Sequence, residues 1–330
     1  YLPHIFKLRE FFLYTIISFN LYFKMNIKEK PEYFLIKELI DLDYDEKGKH
    51  TYVLLKKKNY NTLDAIKLLS RILNINLKQI GFAGNKDKKA ITSQYISLPR
   101  ISEERINKIK LKDIKLKFIG CGNKRINLGD LKANKFRIKF PYKLKKINFC
   151  ENYFDEQRFG IEDNSALGKL ILKKDFKRLK SITNVDNSYE SNLKLRFYLN
   201  SYQSYLFNLC LSCLLSKYPN IKLKYKLGEF VFLKKKIKNF KMPILNFDTE
   251  LHGEIGRTYK KIMKKEQISL NDFLIKEIPF LISDTTYRDA FFEIKDLAKK
   301  KDYVYFTLPK GSYATIVIKK LMMPFSDKVL

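Results

Sequence analysis

Gly81-Phe82-Ala83-Gly84-Asn85-Lys86-Asp87-Lys88-Lys89-Ala90-Ile91-Thr92 sets one carboxylate among three lysines on a turn punctuated by two glycines. Glycine tolerates backbone conformations closed to other residues, so two in four positions let a chain turn tightly and expose the residues just beyond. Downstream, Ala90-Ile91-Thr92-Ser93-Gln94-Tyr95-Ile96-Ser97-Leu98 is rich in β-branched and aromatic residues and reads as a strand. Asp87 therefore stands at a strand entrance, where a fixed scaffold can aim its carboxylate. The neighbouring lysines favour the ionised form and attract a polyanion to the same place. By composition alone Lys-Asp-Lys-Lys is a solvated surface turn, and so short a motif needs wider context to mean more.

Outward from this turn the chain reads as mixed α and β. Residues 26–38 predict a strand after Pro31, and His50 to Leu55 predicts another. Asn61-Thr62-Leu63-Asp64 opens a helix, with Asn61 or Thr62 as cap and Ala65, Ile66, Leu68, Leu69 and Leu73 as its apolar face. Glu103 to Ile109 predicts a short helix capped by Ser102. Alternating residues at 115–119 and 136–140 predict two strands around a basic, turn-rich segment, 122–134. From about residue 175 the texture changes. A polar stretch, Ser181 to Asn192, leads into apolar residues at helical spacing: Tyr202, Leu206, Leu209 and Cys213. Further on come Phe230 to Lys236, a turn at Pro243, a helix near Leu270 to Ile278, a strand from Tyr303 to Leu308 and a final apolar helix through Met322.

The chain has 330 residues, enough for two domains, and its 45% hydrophobic content excludes a disordered tail. Lysine and arginine number 66 against 35 acidic residues, a formal charge of +31 that points to nucleic acid as partner. No stretch reads as a basic amphipathic helix that would lie on a membrane. Four cysteines argue against a disulfide framework and fit a reducing cytoplasm. Cys210 and Cys213 lie inside an apolar helical run, and the histidines (His4, His50, His252) are dispersed, so neither metal nor cofactor is expected. Phe11 to Phe23 is apolar but interrupted by Thr15, Ser18 and Asn20, short of the roughly 20 apolar residues a membrane span needs. Met25 is the expected natural start, with residues 1–24 a non-native or unrelated extension.

The run Phe82 to Thr92 resembles the catalytic signature of the TruD family of tRNA pseudouridine synthases, with Asp87 at the family's catalytic position. Three further motifs come in the family's order. Asn152-Tyr153-Phe154-Asp155-Glu156-Gln157-Arg158-Phe159-Gly160 is similar to Asn-x-Phe-Gly-x-Gln-Arg-Phe-Gly; Tyr202-Gln203-Ser204-Tyr205-Leu206-Phe207-Asn208 and Leu308-Pro309-Lys310-Gly311-Ser312-Tyr313-Ala314-Thr315 match later ones. Lys28-Glu29-Lys30-Pro31-Glu32-Tyr33-Phe34 and Leu128-Gly129-Asp130-Leu131-Lys132-Ala133-Asn134 are weaker matches. The chain departs from the family at Tyr33 (Asp in the pattern) and at Ala133, Asp155 and Thr285 (Gly in each).

This resemblance implies a pseudouridine synthase-type antiparallel sheet with flanking helices, built from residues 25–175 and 300–330, and an inserted α/β domain at 176–299. It implies isomerisation of a uridine in tRNA, uridine 13, to pseudouridine in the cytoplasm, with no metal, cofactor, membrane or protein partner. Asp87 is the implied catalytic carboxylate, as nucleophile or base. Lys28 pairs with it, Asn152 orients it, and Phe154 lies beside the target base. Lys86, Lys88, Lys89, Lys124, Arg125, Lys132 and Arg158 are the candidate RNA contacts. Gly311 and Ser312 are expected to shape the site's rim and cap the last helix. The departures motivate one alternative, a non-catalytic RNA-binding protein or RNA chaperone on the same fold.

Overall fold

The computed structural model describes residues 27–160, 163–186 and 188–324; the expected extension at 1–24 lies outside the described residues. Six strands come first: β1 (Phe34–Leu39), β2 (His50–Lys58), β3 (Gly81–Phe82), β4 (Ile91–Pro99), β5 (Ile114–Gly122) and β6 (Ala133–Lys139). Then come β7 (Phe149–Glu151), β8 (Asn220–Tyr225), β9 (Gly228–Leu233), β10 (Lys241–Ile244), β11 (Thr286–Asp289), β12 (Phe291–Glu293), β13 (Lys295–Lys300) and β14 (Tyr303–Pro309). The described helices are α1 (Thr62–Leu73), α2 (Glu103–Asn107), α3 (Asn164–Leu172), α4 (Phe176–Ile182), α5 (Tyr189–Leu215), α6 (Gly253–Glu266) and α7 (Ala314–Met322). They form two compact units, one from the described part of Asn20–Asn148 with Glu293–Gly311, the other from the described parts of Phe149–Phe292 and Ser312–Leu330. These cuts differ from the sequence-based division at 175/176 and 299/300.

The first unit is an eight-stranded sheet in the order β13-β14-β6-β1-β4-β2-β5, with β3 pairing β4. Neighbours are antiparallel except β1 and β4, which run parallel with Leu35 opposite Ile91, so the sheet is mixed. Alternation decides the faces. On β2, Val53 and Leu55 are buried and Lys56 is exposed. The buried face packs against α1, whose Ala65, Ile66, Leu69 and Leu73 recur at helical spacing, and α2 adds Ile106 to the same core. Asn74 ends α1 in the left-handed region at φ 50°. Gly81 is required because a Cβ there would stand 2.3 Å from the Ile126 carbonyl oxygen. Gly84 has no such need, since its Cβ would meet nothing closer than 3.7 Å.

The second unit is arranged around the 27-residue α5. Gly168 lets α3 lie against it, since a Cβ there would be 2.1 Å from the Tyr198 carbonyl oxygen. The β8–β9 hairpin contributes Tyr225 and Phe230, stacked at 4.1 Å, beside the fully buried Tyr153. α7 is held by two buried ion pairs. Lys320 reaches Glu151 at 3.0 Å and Lys319 pairs with Asp155. Burial raises the Glu151 carboxyl, against the Lys320 ammonium, which lowers it. The helix expected near Leu270–Ile278 is instead a short 3-10 turn, Leu270–Phe273, closed by a Ser269–Asp272 capping box. The helix lies upstream, as α6. Tyr313, not Ser312, precedes α7, and Gly311 takes φ 79°.

Leu69→Ala should destabilise the first unit by about 2–5 kcal/mol through the cavity it leaves, read as a lowered denaturation midpoint. Ile72→Ala, on the 43% exposed side of the same helix, should stay within about 0.5 kcal/mol. Equal effects from the two would refute this placement of α1.

Candidate active site

Asp87 lies on the loop between β3 and β4. Lys28 Nζ is 3.2 Å from Asp87 Oδ1, with the lysine side chain 15% and the aspartate 31% exposed. The same ammonium sits 4.5 Å from the centre of the Phe34 ring. An ammonium at this range fixes the direction of the carboxylate, while the exposure leaves an oxygen accessible.

The loop is pinned from beneath. Lys57 projects from β2 on the buried face and is 1% exposed. Its ammonium donates to the carbonyl oxygens of Tyr60 (2.6 Å), Asp87 (3.1 Å) and Lys86 (3.3 Å). Burial pulls Lys57 down to about 8, against the Asp87 carboxylate and with the Lys86 ammonium. The Lys86 amide donates to Thr62 Oγ1 at 2.9 Å, and that hydroxyl donates to Gln94 Oε1. Gln94 Nε2 in turn donates to the Gly84 carbonyl at 3.1 Å. The Lys86 side chain is buried and paired with Glu38, whose other oxygen accepts from the Tyr95 amide. Side chains from β1, β2, α1 and β4 thus fix both the backbone and the base of the loop.

The candidate RNA contacts divide. Lys88, Lys89, Lys124 and Lys132 are exposed, with Lys132 paired to Asp41. Lys86 is buried at 8% exposure, so its ammonium anchors the loop and does not face solvent. Arg125 donates to the carbonyls of Lys78 (2.8 Å) and Ile80 (3.3 Å), clamping the chain ahead of β3.

The second unit carries Asn152, Phe154 and Arg158. Asn208 of α5 brackets Phe154, accepting from its amide at 2.9 Å and donating to its carbonyl at 2.8 Å. The Phe154 ring meets Phe207 and Tyr313 edge-on at 5.5 and 6.1 Å. The Arg288 guanidinium lies 4.2 Å from its centre and that of Arg158 lies 5.9 Å away. Arg288 also donates to the Asn152 carbonyl at 2.9 Å and to its Oδ1, while Asn152 Nδ2 donates to the Asp289 carbonyl. Burial, with Arg158 nearby, lowers Arg288 to about 10. An aromatic ring with cations over it is a surface that a planar base can stack on. Thr285, one of the departures, is tied to Asp248 by its amide and hydroxyl. Asp155, another, is matched by Lys319. Residue 133 lies in extended β6, opposite Leu39, where alanine fits without strain. Lys57, Glu38, Asn208 and Arg288 were not among the expected site residues. A lysine and a glutamate on the apolar side of alternating strands were the signals for the first two.

Among the described residues no group of three or more His, Cys, Asp or Glu could hold a metal ion, and no helix is long and apolar enough to cross a membrane.

Comparison with known proteins agrees with the motifs. The sequence model for "tRNA pseudouridine synthase D (TruD)" matches residues 19–192 and 229–321. The "tRNA pseudouridine synthase D" of Aquifex aeolicus is 32% identical, over 90% of this chain and 98% of that one. The "probable tRNA pseudouridine synthase D 2" of Methanocaldococcus jannaschii is 29% identical, over 92% and 93%. A crystal structure titled as a putative tRNA pseudouridine synthase D from Methanosarcina mazei shares the fold, with a TM-score of 0.57 at 24% identity over 89% of this chain and 92% of that one. With most of its length matched by the family, and with the Asp87 loop, the mixed sheet and the Phe154 motif all in place, the chain belongs to the TruD family of tRNA pseudouridine synthases, which are isomerases.

Proposed function

We propose that this chain isomerises uridine 13 of tRNA to pseudouridine, with Asp87 as the carboxylate acting at the ribose. The observation that carries the proposal is the Lys28–Asp87 ion pair on a loop whose carbonyls are fixed by Lys57. In the reaction the bond from ribose C1′ to N1 breaks, the freed uracil turns, and C1′ joins C5. The C5 hydrogen is lost as a proton and N1 gains one, so atoms and charge balance without oxidant or reductant. The carboxylate serves as nucleophile at C1′ or as base toward the ribose. In either role it must be aimed, which the Lys28 ion pair and the pinned loop supply. Flipping the target uridine out of folded RNA costs a few kcal/mol, and the Phe154 ring, kept in place by Arg288 and Asn208, is suited to stack on a base. Exposed Lys88, Lys89 and Lys124 contact phosphates without reading sequence.

Asp87→Asn should lower pseudouridine formation in unmodified tRNA transcripts by about 10²-fold or more while tRNA binding persists. Mapping the product to its nucleotide tests the uridine 13 target. Product at the wild-type rate from the variant would remove Asp87 from the chemistry. No product from wild type on any tRNA, despite binding, would favour the RNA-binding alternative.

Lys57→Met keeps the side-chain length but removes the donor. It should lower kcat by roughly 10²-fold with little change in KM, because a misplaced catalytic group slows chemistry more than binding. Lys57 also links folding to pH. Its folded value, about 8, lies below its ordinary 10.5, so between those values the unfolded chain holds more protons than the folded one. Stability from this group therefore rises with pH across that window. Denaturation midpoints at pH 8 and pH 10 should show this slope in wild type and its loss in Lys57→Met.

A further inference from the structure

One face of the eight-stranded sheet carries the helices; the described helices of this unit, α1 and α2, both bury their apolar residues on the Val53 and Leu55 side. The other face is covered at one end, where Tyr52 and Tyr95 pack with Ile126 and Leu131, and is basic beyond it. Register places Lys115, Lys56, Ser93, Lys37 and Lys135 side by side in one row across β5, β2, β4, β1 and β6. All four lysines are exposed. Among the described residues none of the four has an ion-pair partner. At about 4.8 Å between strands the row is about 19 Å long, enough for several successive phosphates of one nucleic-acid strand.

A merely solvated sheet face alternates charge, because like charges directly opposite each other destabilise a strand pair. Here Lys56 faces Lys115 and Lys37 faces Lys135. Lysine on an edge strand discourages sheet-to-sheet pairing, which accounts for Lys115 on β5. It does not account for Lys37 and Lys135, whose strands lie inside the sheet. Carboxylates on this side stand at the margins: Glu32 pairs with Lys58 at 2.6 Å, and Asp296 accepts from Thr307 at the far edge. Toward the same end, Arg137 lies 3.8 Å over the Tyr303 ring and Lys139 lies 4.0 Å over Tyr33, which hold two more cations in fixed positions. The row also runs close to the catalytic loop. Lys58 and Leu35 both pair with Ile91, the residue leading out of that loop, and lie two residues, about 7 Å, from Lys56 and Lys37.

We propose that the exposed lysine row on this sheet face is a docking surface for the phosphate backbone of the substrate RNA, separate from the Asp87 site. The charge of the row selects a polyanion, and two lysine pairs in line, one on each side of Ser93, fit successive phosphates of one strand. The proposal rests on the RNA-modifying reading above, but its test reads binding and not product, so either can fail without the other.

The test compares two variants that remove the same charge: Lys37→Gln/Lys56→Gln/Lys115→Gln/Lys135→Gln on the sheet, and Lys260→Gln/Lys261→Gln/Lys264→Gln/Lys265→Gln on exposed α6 positions. The tRNA Kd is measured by filter binding from about 50 to 200 mM salt, and thermal melting checks that both variants fold. The sheet variant should bind about 10- to 100-fold more weakly at low salt, with a log–log salt slope shallower by about 3. It should melt no lower than wild type, because like-charge pairs have been removed. The α6 variant should change binding by less than about twofold. Equal weakening by both variants would overturn the proposal in favour of a diffuse field. An unchanged slope in the sheet variant would overturn it outright. So would loss of binding to phosphatidylserine vesicles in the sheet variant with tRNA affinity intact, which would assign the face to an anionic membrane.

Discussion

A single buried ammonium bears on most of what the Asp87 loop does. Lys57 is the only group described that reaches the carbonyls of both Lys86 and Asp87, and it does so from a strand whose own register is set by β4 and β5. Removing a charged donor from beneath a loop leaves three carbonyls without it in a low-dielectric site, where each unmet group is strongly destabilising. Burial opposes the charge on Lys57 while the Asp87 carboxylate supports it. The carboxylate is therefore held between two lysines with different tasks. Lys28 pairs with its Oδ1, and Lys57 fixes the backbone from within.

The second unit obeys the same logic with different chemistry. Asn208 brackets the Phe154 backbone on both sides, and Arg288 both covers the ring and holds Asn152. An aromatic side chain fixed in this way loses little rotamer freedom on any further contact. Two guanidiniums over one ring also leave positive charge at the edge of the stacking surface. The departures at Asp155 and Thr285 have local partners, Lys319 and Asp248, and so leave the ring and its supports undisturbed.

Much of this was legible in the sequence because it depends on local pattern. The β-branched run after Asp87 became β4, the short strand read at His50 to Leu55 became β2, and the apolar spacing of Ala65, Ile66, Leu69 and Leu73 became the buried side of α1. The features that escaped depend on contacts far apart in the chain. Lys57 and Glu38 look like ordinary surface residues until their strand phase places them beside Leu55 and Ile36 on the buried side. Arg288 sits in a recognisable motif, yet nothing local says it reaches back to residue 152. Residues 253–266 were not read as a helix, and Leu270–Ile278 carries only the turn Leu270–Phe273 before a second turn opens at Pro279. Gly84 looks obligatory beside Gly81, but only Gly81 meets a carbonyl too close for a side chain.

The ion pairs that secure α7 have a kinetic side. Glu151 and Lys320 are 169 residues apart, and Asp155 and Lys319 are separated by 164. At translation rates of roughly 5–20 residues per second, the carboxylates emerge roughly ten to thirty seconds before the ammonium groups that neutralise them. During that interval the second unit cannot close without burying two uncompensated negative charges, so its core stays open and solvated. The first unit waits about as long, because β14 pairs with β6 from Tyr303 opposite Lys139 to Pro309 opposite Ala133. Both units thus wait on the C-terminal part of the chain, and the apolar residues of α5 are made before the ion pairs that close their unit.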